Sequence, residues 1–138
     1  MNALLLAALP LVLMDGQAPD IDHWLRIEPA IAAAVECRQT LPLHMLDGIA
    51  PNAPGSWSLV PTRSFTVFGL PVQRIELFID PEGELGASYT AVIEKRSLQQ
   101  ARKQLNLISA RERIGQLSAD QPNDEVQLVC TVAATEQG

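Results

Sequence analysis

Two histidines, two cysteines and a short run of carboxylates are the side chains through which this sequence could do chemistry. His23 and His44 stand at neither metal-ligand nor triad spacing, so each reads as a surface or capping residue. Ser56, Ser58 and Ser88 lack the strand–turn–helix context of an activated nucleophile. No glycine pattern marks a phosphate loop or a dinucleotide site. Cys37 and Cys130 have no CxxC spacing, which argues against metal or redox chemistry. An even cysteine count fits one structural bridge in an oxidising compartment, the alternative being two buried free thiols. The bridge would close a loop of roughly 90 residues and contribute ~4 kcal/mol. Asp80, Glu82 and Glu84 alternate in a turn. They could hold calcium, but the loop lacks the length and ligand order of an EF-hand. A solvated hairpin tip, or carboxylates offered to a basic partner, suits them better. The expectation is a chain without catalytic residues, metal or cofactor.

Charge narrows the partners. The net charge is -6, against nucleic-acid binding and against attachment to anionic membranes. Six of the ten basic residues nevertheless fall in one stretch: Lys95, Arg96, Arg102, Lys103, Arg111 and Arg113. That distribution fits the solvated face of an amphipathic helix, or a positive patch that meets an acidic partner or glycan.

The elements that position these groups follow from hydrophobic spacing. The uncharged run from Met1 to Met14 is too short to span a membrane and has the length of a secretory leader core. Gly16 and Ala18 supply small residues for cleavage, so residues 1–18 read as a leader and 19–138 as a single domain. Two features oppose this: no basic residue precedes the apolar part of the run, and Pro19 follows the cut. A retained apolar helix is the alternative. A helix is expected to open at Glu28-Pro29, with Ile27, Ile31, Ala34, Cys37 and Leu41 as its apolar stripe. Ile49–Ser58 reads as a loop ending near Trp57. Strands are expected over Ser64–Phe68, Val72–Asp80, Ala87–Glu94 and Val126–Val132. Ser97 and Gln100 form a capping box ahead of a second helix whose stripe is Leu98, Ala101, Leu105 and Ile108. The predicted fold class is α+β: a four-stranded, mainly antiparallel sheet with two helices on one face, in the order α-β-β-β-α-β. A helix packed on that face would bring Cys37 to Cys130.

If Ile75, Leu77, Ile79, Val126 and Leu128 face the helices, the other face carries Thr66, Phe68, Arg74, Glu76, Phe78, Ser88, Thr90 and Val92. Aromatic and Arg residues together suit an interface core. Cover by the Ile49–Pro61 loop, or a contact between two copies, would use the same residues. The partner-binding candidates are Phe68, Arg74, Glu76 and Phe78, then the Glu82–Glu84 tip.

The stretch Phe65-Thr66-Val67-Phe68-Gly69-Leu70-Pro71-Val72, with the hairpin through Gly86-Ala87-Ser88-Tyr89, resembles small periplasmic inhibitor and immunity-type proteins of bacteria. The resemblance lies in the plan: a leader, a compact antiparallel sheet with helices, one disulfide and no catalytic motif. It implies a periplasmic or secreted, non-enzymatic protein that blocks a secreted hydrolase or toxic effector. A binder of a small ligand or envelope component is the alternative, and it would need a deep apolar pocket beside Trp57. Histidines and carboxylates converging in one cleft would point instead to an enzyme.

Overall fold

The computed structural model describes residues 16–107 and 113–134. Most of the expected leader, and with it Ile108 and Arg111, lies outside these residues. Helix α1 spans Ile21–Val35. Asp20 caps it by accepting the backbone N–H of His23 at 2.8 Å. Trp24, Ile27, Ile31 and Ala34 form its buried stripe. The helix therefore starts a full two turns before the expected Glu28-Pro29 opening, and Pro29 lies inside it. Pro29 deprives the Leu25 carbonyl of its helical donor. Both residues are exposed, so water can take the donor's place.

The end of α1 is built around Cys37. The N–H of Arg38 reaches the Ala33 carbonyl and that of Cys37 reaches the Ala34 carbonyl, at 2.8 and 2.9 Å. This is the Schellman arrangement, in which the residue after the cap takes a left-handed conformation. Glycine usually fills that place; here Cys37 does, with φ of 65°. The conformation aims its sulfur at β6, where the Cys37–Cys130 disulfide forms.

After a 3-10 turn at Leu43–Leu46, six strands and a second helix follow. They are β1 (Ser56–Leu59), β2 (Thr66–Val67), β3 (Leu70–Ile79), β4 (Ala87–Ile93), α2 (Leu98–Leu107), β5 (Gln116–Asp120) and β6 (Val126–Val132). The sheet order is β1-β3-β4-β6-β5, with β2 paired to the start of β3, and every strand pair is antiparallel. Among the described residues the fold is α+β with two helices, as the sequence implies, and the sheet has six strands, not four, in the order α-β-β-β-β-α-β-β. Both additional strands, β1 and β5, lie at the edges. The expected Ser64–Phe68 strand shrinks to two residues.

Register defines the two sheet faces. Leu59, Ile75, Ala91, Leu128 and Ala119 form one inward row. Trp57, Leu77, Tyr89, Cys130 and Leu117 form the next. These rows meet α1, and Ala101 of α2 joins the same core. A bulge between Val72 and Arg74 lets Val72 and Ile75 both point inward. Trp24 stands edge-to-face on Phe65 with ring centres 5.3 Å apart. The Tyr89 hydroxyl accepts the Leu41 N–H at 3.1 Å and ties the segment after α1 to β4.

Residues 16–18, on the leader side of the expected boundary, run beside β1. Gln17 donates its N–H to the Ser58 carbonyl and accepts from the Val60 N–H, at 2.9 and 2.7 Å. Among the described residues no helix is long and apolar enough to cross a membrane.

Candidate binding face

Among the described residues neither helix covers the outer face of the sheet. Register sets three rows there. One is Arg74, Val92, Gln127 and Asp120; the next is Ser58, Glu76, Thr90, Val129 and Ser118. The third is Ser56, Phe78, Ser88, Thr131 and Gln116. The segment that could have folded over this face instead supplies β1 and widens the sheet. Trp57 anchors that segment, donating its indole N–H to the Ile49 carbonyl at 3.1 Å.

Arg74 is the best-tethered side chain on the face. Its guanidinium donates to Glu76 on its own strand and to Glu125 just before β6, each at 2.8 Å. Reaching Glu125 from β3 takes it across β4 at Val92, which is fully buried. The hydrogen bond to Glu125 is the main reason its pKa lies above the ordinary arginine value. The side chains of Arg74, Glu76 and Glu125 are 24%, 44% and 37% exposed. At that exposure each pair contributes about 1 kcal/mol or less. One cation against two carboxylates leaves the cluster at net −1.

Beside it, Asn52, Ser56, Trp57, Ser58, Glu76, Phe78, Ser88 and Thr90 line an open groove of 370 Å³. Phe78 is half-buried and stands between Ser56 and Ser88. The lining is hydroxyl, amide and carboxylate around Trp57, Leu77 and Phe78. It is not the deep apolar pocket that binding of a small apolar ligand would need.

Phe68 does not belong to this face. It is 8% exposed, within the core, and forms the β2–β3 turn with Gly69. Both residues have positive φ, 51° and 75°, as a two-residue hairpin turn of type I′ requires. Glu36 accepts the Phe68 N–H at 2.9 Å and holds the turn against the end of α1. Thr66 is exposed beside this turn, on β2.

The acidic tip divides by role. Asp80 folds the β3–β4 turn by accepting the N–H groups of Leu85 and Glu82, at 2.6 and 3.1 Å. Those bonds, Leu85 first, hold its carboxyl below the ordinary aspartate range. Glu82 and Glu84 are left exposed. Beside them Leu85 is 74% exposed, an apolar side chain at a hairpin tip that sequence patterning passed over. Hairpin residues of this kind carry no periodic signal, and only the exposure identifies it. Gly86 closes the turn with φ of 82°; a Cβ there would lie 2.1 Å from the Val132 carbonyl oxygen.

The histidines are not isolated. His23 and Arg26 of α1 line one cleft with His44, Met45 and Asp47 of the 3-10 turn region. Their sequence separation hid this. No hydrogen bond joins the His23, His44 and Asp47 side chains among the described residues, and no group of three possible metal ligands occurs among them.

No match to this chain is found among known protein families, characterised proteins or solved structures.

Proposed function

We propose that this chain is a non-enzymatic binding protein of the periplasm or the extracellular space. It neutralises a partner protein, a secreted hydrolase or effector, by docking with the outer face of its sheet. The observation that carries the reading is the placement of Phe78. It stands half-exposed in a polar groove on a rigid sheet, beside an ion cluster, on the face that the helices leave open. A rigid aromatic anchor ringed by polar groups suits a protein interface. Glu76 and the Glu82–Glu84 tip would meet basic groups of the partner, and Leu85 would add apolar contact. The Cys37–Cys130 disulfide suits an oxidising compartment.

The test is capture by the immobilised, oxidised chain from periplasmic and secreted extracts, followed by assay of the captured protein. The reading expects one stoichiometric partner whose activity falls on binding, and whose binding is lost in Phe78→Ala. Capture that Phe78→Ala leaves intact would overturn it, as would a captured protein that stays fully active.

A second reading rests on the His23, His44 and Asp47 cleft, whose convergence suits general acid–base chemistry. It expects hydrolysis of a model ester or phosphodiester that His44→Ala abolishes. Equal rates in both proteins would remove it.

A further inference from the structure

The basic residues of the stretch from Lys95 to Arg113 meet different surroundings. Arg102 turns to the sheet and donates to the Ala119 carbonyl at 3.3 Å, fastening α2 to β5. Arg96 and Lys103 instead line an open cleft of 380 Å³ with Gly69, Leu70, Gln100 and Gln104. The cleft runs between the β2–β3 turn and α2. Among the described residues no carboxylate lines it, in a chain of net charge -6. Neither Arg96 nor Lys103 pairs with a carboxylate among the described residues.

The amides sharpen the chemistry. Gln100 spends its carbonyl oxygen on the Ser97 N–H at 2.9 Å, so its NH₂ is the half left to bond a ligand. Gln104 is held close to the turn: a Cβ at Gly69 would lie 3.2 Å from its Nε2. Lys103 and Gln104 follow Gln100 by three and four residues, which sets all three on one helix face. The wall is rich in donors: a guanidinium, an ammonium and a fixed amide NH₂. The first turn of α2 carries no acidic residue, so the helix dipole adds to the positive potential.

We propose that this cleft binds a phosphate-type oxyanion, either free or as the monoester of a small molecule. Arg96 would bond two of its oxygens, Lys103 would supply a point charge, and the Gln100 amide would fix its orientation. The site is separate from the outer sheet face, so its failure leaves the reading of that face untouched.

The experiment is a two-dimensional ¹H–¹⁵N NMR titration of the full oxidised chain. Sodium phosphate is compared with sodium chloride at matched ionic strength, and then with glucose 6-phosphate. Saturable shifts are expected at Gly69, Leu70 and the side-chain amides of Gln100 and Gln104. Lys103→Ala should weaken binding about tenfold, the effect of losing one charge-assisted hydrogen bond, and Arg96→Ala, which removes a two-point contact, at least as much. Arg63→Ala removes a cation that pairs with Glu28 elsewhere on the surface, and should leave binding unchanged. Tighter binding of the sugar phosphate would identify the ligand as an organic monoester. Equal or tighter binding of inorganic phosphate would identify the free anion. The proposal is overturned if the shifts do not saturate. It is equally overturned if Arg63→Ala weakens binding as much as Arg96→Ala does.

Discussion

Phe78 lies between Ser56 and Ser88 on the open face, so removing its ring leaves the core intact. Phe78→Ala should lower stability by only about 1 kcal/mol. It should cost about 2 kcal/mol or more in partner binding, as interface anchors do. Phe68→Ala should do the reverse, costing about 3–5 kcal/mol of stability because it empties a buried site. Denaturant unfolding of both variants, paired with a binding assay, separates the two effects. Both phenylalanines sit in β-rich surroundings, and alternation alone assigns them to one face. A left-handed turn at Phe68 is illegible because it opposes local preference, at about 1–2 kcal/mol. Burial of the ring and the Glu36 bond offset that cost, and both depend on α1, thirty residues upstream. Asp80 adds a pH dependence. Its native pKa lies below its unfolded value, so its stabilising effect is complete above the unfolded pKa. The effect is lost as pH falls through the native pKa. Acidification should therefore loosen the β3–β4 turn, and Asp80→Asn, which lacks the carboxylate, should show faster hydrogen exchange at the Leu85 amide than the native chain does at the same neutral pH.

Among the elements, α2 is the most legible from sequence. Ser97 and Gln100 bond reciprocally, the Ser97 hydroxyl accepting the Gln100 N–H at 3.1 Å and the Gln100 carboxamide accepting the Ser97 N–H. Ser97→Ala should cost about 1 kcal/mol, measured by urea unfolding, and Ser97→Asp should restore most of it. The two edge strands are the least legible. β5 reads Gln-Leu-Ser-Ala-Asp and offers only Leu117 and Ala119 to the core. Its polar and acidic residues disfavour a strand in isolation. Pairing with β6 and the Arg102 bond to the Ala119 carbonyl make it one. β1 has four residues beside prolines and glycines, and its partner, the second half of β3, lies far along the chain. The central strands β3, β4 and β6 carry a period-two pattern because both of their neighbours are strands and one face is buried. The start of α1 was obscured by Pro29, whose usual place is the first turn. Its exposure makes the interior position tolerable.

On the scale of the whole molecule, the disulfide joins the end of α1 to β6 across a separation of 93 residues. Both sulfurs are buried in the core. In the chain-entropy account the bridge contributes about 4–5 kcal/mol. The reduced chain should therefore melt well below the oxidised one, and calorimetry with and without reductant checks this. An unchanged midpoint would show that packing of α1 on the sheet suffices by itself. The pairing was legible because Cys37 continues the apolar spacing of α1, although it lies just past the end of the helix, and Cys130 is on the buried face of β6. The candidate face was legible in part, since β3 alternates cleanly through Arg74, Glu76 and Phe78. The groove was not, because part of its wall, Ser56, Trp57 and Ser58, comes from β1. Nor was the histidine cleft, which exists only after the 3-10 turn folds back on α1.

The same bridge sets a timetable. Cys37 is made 93 residues before Cys130. At ordinary synthesis rates that is roughly 5–20 s during which its thiol has no partner. With only two cysteines in the chain, a premature oxidation cannot scramble within the molecule. Its one outlet is a second molecule, or a small thiol that Cys130 can later displace. Crowded newborn chains would thus cross-link in pairs, and the yield of the correct monomer should fall as the rate of expression rises.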